Sequence, residues 1–217
     1  MTKLLTTLAL ATVLALPAVA VDEVQETKDI KTGTTTITFD AAIATALDTA
    51  NVFFQKAQPA RINAGKGTVT YVASGGFLDL ADAKAEIIHS GGITLAQEIV
   101  AVEARAPKAP KQYKTVTLLD PIITQATSGG PAVVSAVVVI NGDSQGRVNV
   151  FNIAAGIATT PVEIPNNQKL TVSGASLTLT AEAATALNTA FGLVDVFTAD
   201  QVVGEADVNV KFASSKL

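Results

Sequence analysis

The chain has 217 residues, 48% of them apolar, with 15 Lys and Arg against 19 Asp and Glu for a net charge of −4. That length admits one β domain or two small domains with a sizeable core, and the charge excludes the basic footprint of a nucleic-acid partner. There is no Cys, no Trp, one His and two Tyr, which removes disulfides and thiolate sites and leaves little for hydrolytic or metal chemistry.

Residues 1–20 set Lys3 ahead of an apolar run, Leu4 to Leu16, and close on Pro17-Ala18-Val19-Ala20, with small residues where a signal peptidase reads. The run is short for a bilayer span, and Asp22, Glu23 and Glu26 follow it where a stop-transfer flank would be basic. This predicts a signal peptide over 1–20 and a secreted, periplasmic or cell-surface mature chain over 21–217.

Beyond Ala20 apolar and polar residues alternate, the mark of a sheet with one dry face. Ile37 and Phe39 alternate with Thr36 and Thr38, and Asp40 then heads an Ala-rich segment whose Ile43, Ala46, Leu47 and Ala50 share a helical face. Val69 and Tyr71 mark the next strand, and Ala85, Ile87 and His89 share one face of another before Gly91-Gly92. Between Ala104 and Lys114, Pro107 and Pro110 are interleaved with Arg105, Lys108, Lys111 and Lys114. This reads as an extended surface connection, or as a basic strip for an anionic cell-envelope surface. Val116 and Leu118 resume the alternation. Ala132 to Ile140 is almost unbroken apolar, bounded by Gly129-Gly130-Pro131 and Asn141-Gly142-Asp143, and predicts a central strand covered on both faces and followed by a hairpin turn. Leu170 and Val172, then Leu177 and Leu179, lead to Thr180 as the N-cap of a second helix with Ala183, Leu187, Ala190 and Phe191 on one face. Val208, Val210 and Phe212 form the last strand.

The two strand-helix segments match each other: Thr36 to Ala50 aligned with Ser176 to Ala190 gives eight identities in fifteen. The predicted fold is therefore all-β, one antiparallel sandwich or partly open barrel, with two short helices capping its ends in a pseudo-repeated unit.

Few residues suggest chemistry. Ser90 and His89 are neighbours on a strand and point to opposite faces, and no nucleophile elbow is present, so a Ser-His-Asp arrangement is not expected. Asp79, Asp82 and Glu86 suit a solvated loop better than a glycosidase pair. Asn141-Gly142-Asp143-Ser144 lacks the remaining positions of a Ca²⁺ loop. A non-enzymatic protein is the expectation.

In order, Asp40-Ala41-Ala42, Gly67-Thr68-Val69-Thr70-Tyr71, Gly75-Gly76-Phe77-Leu78-Asp79, His89-Ser90-Gly91-Gly92-Ile93-Thr94-Leu95, Asp120-Pro121-Ile122-Ile123 and Leu170-Thr171-Val172-Ser173-Gly174, closing on the second Ala-Leu helix, resemble the HtaA-type domain of secreted and surface-attached bacterial proteins. The likeness spans about 33–212. It implies a β-rich extracellular domain, and its best-known members take up haem for iron acquisition through a Tyr axial ligand assisted by His. The resemblance makes His89 the candidate histidine and Tyr71 a candidate haem ligand, with Tyr113 competing. A haem site also needs an apolar slot for the macrocycle. The expectation is an exported binding module for haem or another flat apolar ligand at one rim of the fold. The alternative is a structural or adhesive surface protein working through its sheet.

Overall fold

A computed structural model describes residues 27–99, 111–157 and 169–213; the predicted signal peptide and the basic residues Arg105 and Lys108 lie outside them. The strands are β1 (Thr27–Phe39), β2 (Val52–Gln58), β3 (Arg61–Asn63), β4 (Thr68–Asp79), β5 (Ala85–Ser90), β6 (Gly92–Ile99), β7 (Gln112–Gln125), β8 (Ala132–Ile140), β9 (Asp143–Ile153), β10 (Lys169–Leu179) and β11 (Val202–Phe212), and the helices are α1 (Ala41–Thr49) and α2 (Ala181–Phe191).

The fold is all-β with two short helices, as predicted, but the sheet is a closed barrel and not two stacked layers. Going round, β7, β5, β4, β1, β11, β10, β9 and β8 each pair antiparallel with the next, and β8 pairs back onto β7. Alternation says only that one face is dry; a sandwich and a barrel share that pattern, and closure depends on which strands meet at the ends of the chain's path. The deciding strand is β7. Its C-terminal half pairs with β5, its N-terminal half with β6, and β8 runs along its other edge. The shortest seam joins β9 to β10 through Phe151–Ile153 and Leu177–Leu179.

Beyond the barrel, β6 and the edge strand β2 extend the sheet, and β3 pairs with β4. The extension leaves the barrel at Gly91, between β5 and β6. The Gly91 N–H donates to Asp120 Oδ1 (2.9 Å), and the Asp120 N–H donates back to the Gly91 carbonyl (2.7 Å). Gly91 has φ +97°, and a Cβ there would lie 2.4 Å from the Pro59 ring, so only glycine fits this corner.

The strand-helix repeat is present as read. Asp40 Oδ1 accepts from the Ala42 N–H (2.7 Å) and Thr180 Oγ1 from the Ala183 N–H (3.1 Å), so each helix starts at its predicted N-cap. β1 and β10 both run antiparallel to β11. They therefore point the same way, and both helices close one end of the barrel, not opposite ends. The Asn141-Gly142 hairpin also forms, with φ +51° and +97°. β8 lies between two partners, yet only its inner face is buried: Ala132, Val134, Ala136 and Val138 point in, whereas Val133, Val137 and Val139 are half-buried on the outside.

Candidate functional site

Strand parity carries Tyr71 and His89 to the barrel interior. Thr35 on β1 stands opposite Tyr71 on β4, and Ala73, two residues further along β4, stands opposite His89 on β5. All of Thr35, Tyr71 and His89 are 4% exposed or less. The imidazole is held at both nitrogens, with Nδ1 3.1 Å from the Pro121 carbonyl and Nε2 2.8 Å from Thr35 Oγ1. A carbonyl can only accept, so Nδ1 carries the proton and the Thr35 hydroxyl donates to Nε2. Burial disfavours the imidazolium and lowers the His89 pKa to about 4, against a smaller upward pull from the carbonyls of Pro121 and Ile87. Burial also pushes the Tyr71 phenol far above its ordinary range. The two rings meet edge to face, with centroids 6.3 Å apart.

The structure thus brings together the two residues singled out in the sequence, but in a form unsuited to haem. An axial Tyr binds as phenolate, and the surroundings of Tyr71 oppose ionisation. Both nitrogens of His89 are already engaged. The space beside them, bounded by Thr35, Ile37, Pro121, Ile123 and Val134 among others, contains no charged side chain. As arranged, these residues do not fit a haem iron. Tyr113 lies elsewhere, on β7 against Phe53 of the edge strand (centroids 5.9 Å apart).

The remaining sequence candidates take structural positions. Asp79 Oδ1 accepts from the N–H groups of Ala81 and Asp82 in the β4–β5 turn, and Asp82 pairs with Lys84. Of the basic strip, Lys111 pairs with Glu98 (2.8 Å) and Lys114 Nζ donates to the Phe191 carbonyl (3.2 Å). Among the described residues no group of three or more His, Asp or Glu side chains is placed to hold a metal ion.

A larger site stands at the helix-capped end. There Ile43 and Leu47 of α1 and Ala183, Ala186 and Leu187 of α2 face Phe39, Phe54, Leu118, Phe151 and Phe197 across a cavity of about 60 Å³ that opens to solvent. Every residue lining it is aliphatic or aromatic. Leu118, Val150 and Phe151 form a floor shared with the Tyr71–His89 space, so the polar pair lies one layer below. At the rim the Phe39 and Phe54 rings stack at a tilt, with centroids 5.1 Å apart. Sequence reading missed this site because its aromatic residues are scattered from β1 to the segment after α2. The one available signal was the repeat itself, which places two apolar helix faces over one opening.

No family model and no curated protein sequence matches the chain. Among solved structures, the fold is similar to the C-terminal domain of HtaA from Corynebacterium glutamicum, with TM-score 0.61 and 12% identity over 86% of this chain and 99% of that one. It is also similar to the N-terminal domain of the same protein, with TM-score 0.55 and 12% identity over 85% and 99%. The likeness read from segment order is thus a likeness of fold. At such identity it carries over no residue's role.

Proposed function

We propose that the chain is an exported, non-enzymatic binding module of the HtaA type that holds an apolar small molecule between α1, α2 and the mouth of the barrel. The observation that carries this reading is the wholly apolar cavity beneath the helices. Close-packed interiors contain few voids larger than a water molecule, and an apolar void with access to solvent gains free energy when an apolar occupant replaces water.

The test is fluorescence titration with N-phenyl-1-naphthylamine. Saturable enhancement by the wild type is expected, with loss in Ala186→Phe, which fills the cavity from α2. Equal enhancement in both proteins would remove the site. Hemin provides the second arm. A Soret band that disappears in both Tyr71→Phe and His89→Gln would move the ligand into the barrel interior and overturn the assignment made here; no such dependence is expected.

A second reading, adhesion through the sheet, is favoured by β2. This strand pairs only with β6 among the described residues, and it carries the exposed Phe53. Assembly that rises with protein concentration in light scattering would support it, and strict monomers would count against it.

A further inference from the structure

Phe39 and Phe54 also border a second space next to the cavity. This space, which Leu47 lines too, is a groove that runs out between α1, β2 and the turn after β3, past Ile62, Asn63, Ala64 and Thr68. The same Ile62, Asn63, Ala64 and Thr68 then border a wider, shallower groove on the outer face of β1, β3 and β4. The character of the lining changes from one of these adjoining spaces to the next. It is entirely hydrocarbon under the helices and mixed past the Phe pair, and it ends among the hydroxyls of Thr36, Thr68 and Thr70 beside Arg61 and Lys66.

Charge follows the same gradient. Arg61 and Lys66 are exposed, and neither has an ion-pair partner among the described residues. The one carboxylate bordering either groove is Asp48 of α1, on the helix side. Two unpaired cations thus border the outermost, most polar groove, and the single acid borders the groove next to the helix. A molecule matching this sequence of environments has a hydrocarbon part for the cavity and an acidic head that avoids Asp48 and meets Arg61 and Lys66.

We infer that the ligand is a single-chain anionic amphiphile, its chain between α1 and α2 and its acid group at Arg61 and Lys66. This rests on the apolar-site reading above and adds the ligand's class. Arg provides planar, multidentate recognition of carboxylate or phosphate, and Lys a mobile point charge. The hydroxyls of Thr36 and Thr70 are hydrogen-bonded to each other at 3.0 Å, which leaves one O–H of the pair as a further donor.

The experiment is displacement of bound N-phenyl-1-naphthylamine by decanoate, 1-decanol and decyltrimethylammonium, each below its micellar concentration. The double variant Arg61→Ala/Lys66→Ala should weaken decanoate about fivefold, as expected for partly exposed charge pairs, and leave decanol unchanged. Asp48→Asn should shift decanoate the other way. Decanoate and decanol affinities that both ignore the double variant would overturn the inference while the apolar site stands. Failure of every competitor and of the probe would overturn both. Lauroyl-lysophosphatidylglycerol distinguishes the sources of the acid group: tighter displacement than by decanoate identifies a lipid headgroup, weaker displacement a free carboxylate.

Discussion

His89 makes the stability of this barrel depend on pH as the medium turns mildly acidic. It is the only histidine in the chain, and it is folded in as a neutral ring between Thr35 and Pro121. Its pKa falls from 6.5 to about 4 on folding because burial opposes the charge. The unfolded chain therefore takes up this proton before the folded one does. The stabilisation is fully present above pH 6.5, declines as pH falls, and is lost once pH passes below about 4. Linkage over those two values gives a fall of about 2 kcal/mol between pH 6.5 and 4.5, and about 3 kcal/mol in total. Urea unfolding at half-unit pH steps measures it directly, and His89→Gln, which keeps an uncharged hydrogen-bonding group, supplies the reference. The wild-type curve should fall more steeply than the variant's between pH 6.5 and 4.5, and the single imidazole resonance in the folded protein should not titrate above about pH 5. Parallel curves for the two proteins, or an imidazole titrating near 6.5, would refute the buried neutral ring.

Two further expectations concern the frame of the site. Gln125 is 1% exposed; its amide donates to the carbonyls of Ala83 (3.1 Å) and Thr127 (2.9 Å), and its Oε1 accepts from the Ile157 N–H (2.5 Å). Gln125→Leu leaves those backbone groups without the side chain and should cost about 3 kcal/mol in urea unfolding, and a loss under 1 kcal/mol would mean the loops rearrange freely. Asp40→Ala should cost about 1 kcal/mol as a lost N-cap, and Thr180→Ala more, because Thr180 Oγ1 also donates to the Asn149 carbonyl (2.6 Å) across the short β9–β10 seam; equal losses would show that this second bond contributes nothing.

What was legible in the sequence was local. Asp40 and Thr180 announce their helices because a short polar side chain before an apolar helical stripe has few other uses. Asn141-Gly142 announces its hairpin because both positions need φ > 0. The parity of Ala85, Ile87 and His89 placed the imidazole on the dry face, where it is found. The illegible part was long-range. Nothing in the sequence of β7 says that one strand will serve β5, β6 and β8 at once, so sandwich and barrel are equivalent at the level of sequence. Parity likewise could not say that Thr35 would cap Nε2 from two strands away, which is what makes His89 a poor partner for a metal. The Phe residues around the large cavity carry no spacing signal, since topology alone assembles them.

The cavity follows from how the repeat is filled. The two strand-helix units align residue for residue, so Ile43 of α1 corresponds to Ala183 of α2, Leu47 to Leu187 and Ala46 to Ala186. Both helices lie over one barrel mouth, and the space between them depends on the bulk they present. α1 contributes Ile43 and Leu47, whereas α2 gives Leu187 and two alanines. Leu in place of Ala costs almost nothing in helix propensity, and closing an apolar void restores dispersion contacts along its walls. A helix that keeps Ala at 183 and 186 gives up that stabilisation in the empty protein, the pattern expected where an occupant supplies the missing contacts. The same reasoning fixes the sign of the filling variant: Ala186→Phe should resist urea at least as well as the wild type while losing the naphthylamine probe, because it exchanges a ligand's contacts for its own. A variant that lost the probe only by becoming unstable would show the space to be ordinary packing.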